Sequence, residues 1–503
     1  MGGQATAATE SPAPGPRLIL AAAVVLVAGF AARAQICLLP DFLTGDDGAY
    51  YLVQVRGILR DGRLPVPDFP LAFYAQAALA WLLSLVMERD AAIVAAVRWT
   101  DAVVPLFLVV PVYLFVREFA QVGAGRAGAL LAVVFAGLVA TVSGSPLTTA
   151  GGTIKNGCAL PFCLLFLFFF RRALGDGGRR SAALAVVFLL VSSLTHVSAL
   201  ALNATLTVLV VAASLSEPPV RTSVLRPAIA LAAALAAVVG IALFLDPDRA
   251  WRFLGVLEHP GRFFAGVPSL APTRGTMRPR FEAVLGLPDV WLGNALGLLG
   301  AYALWRHRAG ADGATRVILW ASTITTLLFS FPLLAPDLLE RLALVAFVPG
   351  IVPLAYLLCR EVSAVLVVAP LTALSVLAGA LTAKTARVTS LVRPAYEELA
   401  GFRAALPPGR SIVIAGHGLE WWAVWTMDVH FSNWAGRALA DRDRYDAVLL
   451  LEQIGPGAFG RRATRLALTT PGATVWDGAL LGPETTTTLA QGRYFRLSRV
   501  GGP

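Results

Sequence analysis

Thr44-Gly45-Asp46-Asp47-Gly48-Ala49-Tyr50-Tyr51, residues 44–51, follows directly on the first apolar segment of the chain. It sets two adjacent carboxylates at the edge of a sequence otherwise composed for lipid. Carboxylates are costly inside a bilayer, so acidic residues held at its surface are functional candidates. The stretch DDGAYYLVQVRGILRDG predicts a helix lying along that surface, with Asp46 or Asp47 at its N-cap. The alternative reading of the pair is a cap and its neighbour in a solvated loop.

Working outward, the composition fixes the class. Of 503 residues, 57% are hydrophobic and only 14% charged, where soluble domains carry about 25% charged residues. Apolar segments recur at 18–39, 71–87, 94–116, 127–143, 158–170, 181–214, 227–245, 290–305, 317–334, 342–358 and 362–382. Segment 181–214 is too long for one crossing of a ~30 Å core and predicts two short helices turning near His196. Segment 71–87 follows a Pro-rich loop, Pro65-Val66-Pro67-Asp68-Phe69-Pro70, and is expected to lie in the interface. The expectation is a polytopic α-helical membrane protein with about 11 transmembrane helices and a small α/β domain at its C-terminus.

Arginine sets the expected topology. Lys155 and Lys384 are the only lysines, so the net charge of +10 is almost wholly arginine. With the spans assigned as above, loops 117–126, 171–180, 217–226, 306–316 and 359–361 share one side and hold most of the loop arginines. The positive-inside rule makes that side cytoplasmic. The acidic motif, the Lys155 loop, the 246–289 loop and the C-terminal domain then face outward from the cell (plasma) membrane. These arginines read as topology markers and headgroup contacts, with no nucleic-acid partner implied.

The domain reading is a disordered N-terminus at 1–17, a transmembrane domain at 18–382 and an extracytoplasmic α/β domain at 383–503. The transmembrane domain carries outer loops 40–93, 144–157, 246–289 and 335–341. In the last domain an amphipathic helix, Leu391–Leu406, precedes strand-like runs Ser411–Ala415, Ala447–Leu451, Thr474–Trp476 and Tyr494–Val500. Cys37, Cys158, Cys163 and Cys359 show no metal-ligand spacing and read as small core residues. No phosphate-loop, dinucleotide or nucleophile-elbow motif is present.

Several outward-facing groups are candidates for chemistry. Lys155 and Asn156 close the loop Ser143–Gly157, rich in Gly, Ser and Thr, where backbone can approach a ligand and an ammonium can meet a phosphate. The bland alternative is a snorkelling lysine. Arg341, in Pro336-Asp337-Leu338-Leu339-Glu340-Arg341, is a second possible phosphate clamp or an intra-loop ion pair. His417, Glu420 and Trp421, in His417-Gly418-Leu419-Glu420-Trp421-Trp422, suit sugar or peptide binding, and the tryptophans alternatively anchor the domain on the interface. Arg98 and Asp101, three apart on one helix, are expected to neutralise each other. His196 reads as a structural histidine with a catalytic alternative.

The order of these features resembles the GT-C glycosyltransferases, most closely the single-subunit oligosaccharyltransferases. Asp47-Gly48 with Tyr50 or Tyr51, then Arg56, is similar to the family's first-loop motif, whose aspartate binds the metal and contacts the acceptor. The loop to Asn156 falls where the family carries a second acidic motif, and His417–Trp422 where it carries Trp-Trp-Asp-Tyr-Gly. Thr153, Lys155 and Asn156 stand where carboxylates are expected, which argues against a divalent metal; the Trp-Trp-Asp-Tyr-Gly string is absent, which argues against an Asn-x-Ser/Thr acceptor. The resemblance therefore implies a divergent relative that moves a sugar from a polyprenyl-phosphate-type donor to a glycan, lipid or protein acceptor. Asp47 or Asp46 would act on the acceptor, and Lys155, Asn156 and Arg341 on the donor phosphate. No cofactor is expected, with a divalent metal held by the acidic pair as the alternative. The rival is a non-catalytic lipid-binding, transport or assembly protein that keeps the fold.

Overall fold

The computed structural model describes residues 15–45, 47–121, 125–245, 288–334, 336–386, 391–416, 418–432, 438–439, 441–458 and 486–501. Expectations for Asp46, His417, the strand at Thr474–Trp476 and nearly all of the 246–289 loop lie outside these residues. Two compact units divide the chain. The first comprises Met1–Ala31, Val104–Leu147 and Cys158–Ala380. The second comprises Ala32–Val103, Thr148–Gly157 and Leu381–Pro503.

The helices that build the first unit are α1 (Pro16–Cys37) up to Ala31, α5 (Val109–Gln121), α6 (Arg126–Thr141), α7 (Gly144–Thr148) up to Leu147, α8 (Ile154–Asp176) from Cys158 on, α9 (Arg179–Ser193), α10 (Val197–Ser216), α11 (Pro218–Leu245), α12 (Pro288–His307), α13 (Gly313–Phe329), α14 (Pro336–Arg360) and α15 (Val365–Ala386) up to Ala380; the remaining ends of α1, α7, α8 and α15 belong to the second unit. The core forms around α14, which packs on α12, α13, α6 and α5. Its Val345, Phe347, Val352, Leu354 and Leu357 are almost wholly buried. By contrast α11 and α15 turn most of their apolar surface outward, including Phe244, Leu366, Leu374 and Leu381. Exposed apolar surface of that extent has a stable place only in lipid. Among the described residues eight helical segments are long and apolar enough to cross a membrane. The protein is therefore a multi-pass membrane protein. The remaining sequence-predicted spans fall on α9, α12 and α13, of which α9 and α13 have 15 and 17 residues. The turn between α9 and α10 falls at Leu194–His196.

Ion pairs tie the arginine-rich loop ends of this unit together. Arg171 pairs with Glu118 and Asp312, and Arg316 pairs with Glu217 at 2.7 Å. The ends of loops 117–126, 171–180, 217–226 and 306–316 thus meet, as loops assigned to one membrane side must.

In the second unit, α2 (Gly48–Asp61), α3 (Leu71–Leu83) and α4 (Arg89–Val103) precede the C-terminal elements. At 13 residues, α3 is about 20 Å long, short of a ~30 Å hydrocarbon core. Helix α16 (Arg393–Gly401) leads to a five-stranded sheet ordered β2-β1-β3-β5-β4, with β1 Ser411–Ile414, β2 His430–Ser432, β3 Ala447–Gln453, β4 Thr486–Gln491 and β5 Phe495–Val500. Strands β2, β1 and β3 run parallel, and β3, β5 and β4 antiparallel. Every residue of β1 is buried, the signature of a central strand covered on both faces. Helix α17 (Leu419–Met427) crosses over from β1 to β2. The Glu398 carboxylate of α16 accepts the backbone N–H groups of Arg493, Tyr494 and Phe495 and fixes the β4–β5 turn.

Candidate functional site

The acidic first loop and the Lys155 loop are packed backbone to backbone. Gly45 and Gly151 have φ of +80° and +82°, a region that disfavours any side chain. A Cβ on Gly45 would lie 2.4 Å from Gly152 Cα, and one on Gly151 would lie 2.1 Å from Thr44 Oγ1. Only glycine permits this approach, so the Gly-rich composition of both loops is the cause of their contact. Asp47 occupies the N-cap position of α2, but its carboxylate makes no capping hydrogen bond.

A buried ion pair holds the Gly-rich loop from the other side. Arg33 of α1 and Asp101 of α4 are each 1% exposed and meet at 2.5 Å. Asp101 also accepts the Gly151 N–H at 2.7 Å and the Cys37 thiol at 3.2 Å. Arg33 further donates to the Asp101 carbonyl at 2.8 Å and to Thr149 Oγ1 at 3.4 Å. The expected Arg98–Asp101 pair does not form. Arg98 donates to the Pro40 carbonyl instead, because Arg33 offers Asp101 a partner in a drier and better-shaped setting.

Lys155 and Asn156 lie in the first turn of α8, both 7% exposed. The Lys155 ammonium pairs with Asp68, a residue that sequence reading left unremarked inside its Pro-rich loop. Asp68 also accepts from the Tyr50 hydroxyl and from the Phe69 N–H at 2.7 Å. Gln54 completes the cluster. Its amide donates to Tyr50 Oη at 2.9 Å and to the Val66 carbonyl at 2.9 Å, and accepts the Val66 N–H at 3.2 Å. The ammonium stands 5.1 Å from the Phe73 ring centre and 5.5 Å from that of Tyr50. Burial and the Asp68 charge push the Tyr50 phenol well above its ordinary pKa. Burial, then the Asp47 charge, does the same for Tyr51. Both phenols stay protonated, which keeps Tyr50 a donor to Asp68. The Tyr51 hydroxyl in turn accepts the Lys155 N–H at 3.4 Å, so Tyr51 links the Asp47 segment to the Lys155 turn.

The C-terminal domain reaches this cluster through α17. The Trp421 ring packs 4.7 Å from Tyr50 and 4.4 Å from Phe431. Glu420 is fully buried. Arg56 stacks 3.6 Å over Trp425, donates to its carbonyl at 2.8 Å and pairs with Asp90 at 3.0 Å. Three buried polar atoms around the cluster, Thr153 Oγ1, Asn156 Oδ1 and Trp421 Nε1, have no hydrogen-bond partner among the described residues. Unsatisfied buried groups are rare in native proteins and point to a missing ligand or water.

Two sequence candidates fall in the first unit. Arg341 is exposed on α14. His196 caps α10, its Nδ1 accepting the Ser198 N–H at 3.1 Å, which gives it a structural task.

Among the described residues, which do not include Asp46, no three His, Cys, Asp or Glu side chains converge.

No protein-family model matches the chain, and no curated protein matches it in sequence. Solved structures do match. ArnT from Cupriavidus metallidurans, bound to undecaprenyl phosphate, is 13% identical with a TM-score of 0.54, over 97% of this chain and 99% of that one. The Archaeoglobus fulgidus oligosaccharyltransferase, tethered to an acceptor peptide containing the NVT sequon, is 12% identical with a TM-score of 0.54, over 86% of this chain and 69% of that one. The Archaeoglobus fulgidus enzyme AglB, in complex with an inhibitory peptide and a dolichol-phosphate, gives 14% and 0.51 over the same shares. These neighbours are GT-C glycosyltransferases, and at such identities the likeness establishes architecture alone: the chain has the GT-C fold.

Proposed function

We propose that this protein is a membrane glycosyltransferase that moves a sugar from a polyprenyl-phosphate-type lipid donor to an acceptor on the extracytoplasmic face. The observation that carries the reading is the glycine-mediated contact of the Asp47 segment with the Lys155 segment, bordered by buried polar atoms that have no partner among the described residues. The lipid phosphates and acceptor peptide bound by the structural neighbours support the substrate class.

In this reading Asp47, with Asp46 beside it, takes the proton of the acceptor as the acceptor's lone pair attacks the anomeric carbon. The bond from that carbon to the phosphate oxygen breaks, and its electron pair leaves with the lipid phosphate. The leaving phosphate gains negative charge, which Lys155 and the Asn156 amide stabilise. Asp68 holds the ammonium in place before the donor arrives and lowers the cost of burying it. Tyr50, Arg56, Glu420 and Trp421 are assigned to the acceptor.

A non-catalytic lipid-binding, transport or assembly role is favoured by one observation: Asp68 already meets the charge of Lys155. The two readings separate when purified protein is incubated with a panel of polyprenyl-phosphate sugars and envelope glycan, lipid and peptide acceptors, with products read by mass spectrometry. The proposal expects a glycosylated product and released polyprenyl phosphate. Lipid binding without transfer to any acceptor would favour the rival.

A further inference from the structure

A cleft of about 660 Å³ opens in the second unit where α2, α4, α16 and α17 face one another. That volume lies within the ligand-pocket range of about 300–1,000 Å³. Arg56, Arg98 and Arg403 line it against a single carboxylate, Asp90. The three guanidiniums are in different states. Arg56 is fully engaged by Asp90 and Trp425. Arg98 reaches only the Pro40 carbonyl, its Nε is buried with no hydrogen-bond partner, and it forms no ion pair among the described residues. Arg403 is exposed, and its guanidinium has no partner among the described residues. The cleft thus holds three forked guanidiniums against one carboxylate. Tyr396, whose ring lies on the same wall, brings a phenol to the site. Forked guanidiniums match the oxygens of a phosphate better than any neutral ligand. The aromatic and alanine walls suit an organic group attached to that phosphate.

We propose that this cleft is a binding site for a phosphate monoester headgroup, distinct from the Lys155–Asp68 cluster. Trp421 packs edge-on against Tyr50 and Arg56 lies over Trp425, so α2 and α17 connect the two sites side by side. From Tyr50 to Arg56 the separation along α2 is about 9 Å, at ~1.5 Å per residue. The site stands whether or not the chain transfers sugars, and its test does not depend on turnover.

The test is calorimetric titration of the full-length protein in neutral detergent with dihexanoyl phosphatidic acid and, in parallel, with inorganic phosphate. Wild-type protein is expected to bind, and Arg403→Ala to weaken binding by about tenfold, the loss of one charge-assisted contact. Arg403→Lys should retain part of the affinity, and Arg63→Ala, at an exposed arginine of the same unit outside the cleft, should leave it unchanged. Arg403 is exposed, so these variants should keep the wild-type melting temperature. Preference for the phosphatidic acid assigns the site to a lipid headgroup; equal binding of inorganic phosphate assigns it to a free phosphate. Absence of binding to both probes overturns the proposal. So does binding that survives Arg403→Ala and Arg403→Glu, or that is lost in Arg63→Ala alone, because the anion would then sit elsewhere.

Discussion

Arg33–Asp101 and Lys155–Asp68 are both buried ion pairs that reach the Gly-rich loop at 148–157, yet their surroundings differ. The groups around Arg33 and Asp101 bind the chain to itself: a thiol, a threonine hydroxyl, a main-chain carbonyl and the Gly151 N–H. Lys155 and Asp68 sit among three aromatic rings, beside side-chain atoms of Thr153, Asn156 and Trp421 that have no hydrogen-bond partner among the described residues. The first pair spends its polar capacity on holding a loop. The second leaves capacity next to it, as a site awaiting a ligand does.

Breaking the first pair should be the larger structural injury. Arg33→Ala strands a fully buried carboxylate and should cost about 3–5 kcal/mol of stability, read by thermal unfolding in detergent. Lys155→Ala should cost less, because Asp68 keeps the Tyr50 hydroxyl and the Phe69 N–H. Equal losses would erase the distinction between the pairs.

For transfer the order reverses. Lys155→Ala should lower turnover by about 10²–10³-fold, as loss of a charge-stabilising donor does, while Lys155→Arg retains part and EDTA has no effect. Sensitivity to EDTA with a fully active Lys155→Ala would point to a metal held by the carboxylates. Gly151→Ala should destabilise by about 1–2 kcal/mol through its left-handed backbone, and should reduce transfer further by prising Thr44 away; an unchanged enzyme would mean that the loop contact is not needed. Trp421→Phe keeps the ring and deletes the unpartnered N–H. It should alter stability by less than about 0.5 kcal/mol while raising the apparent KM, and an unchanged KM would remove Trp421 from the ligand.

The membrane class and the two-helix turn at His196 were legible because apolar run length and position need no tertiary information. The contact of the acidic loop with the Lys155 loop was half legible: the glycines of the Lys155 loop announced close backbone approach, expected toward a ligand, and they also meet the backbone at Gly45 and Thr44. Asp68 was not legible, since a lone carboxylate between prolines has no periodic relation to a lysine 87 positions away. Arg33 left a signal in its place within an apolar span, which obliges a partner; the nearer choice for Asp101, Arg98 at i−3, misled because spacing along a helix ignores what packs across it. Strand β4, Thr486–Gln491, escaped because it is a largely exposed edge strand with no apolar alternation, and β2 because it has only three residues.

The most direct test of the account is the transfer rate of Asp47→Asn against wild type with a polyprenyl-phosphate sugar donor. Because the Asp47 carboxylate makes no capping hydrogen bond, the substitution removes a base without removing a cap. The account predicts a loss of about 10²–10⁴-fold at unchanged melting temperature, with Asp46→Asn costing less. Wild-type turnover in Asp47→Asn, or equal mild losses in both variants, would contradict it.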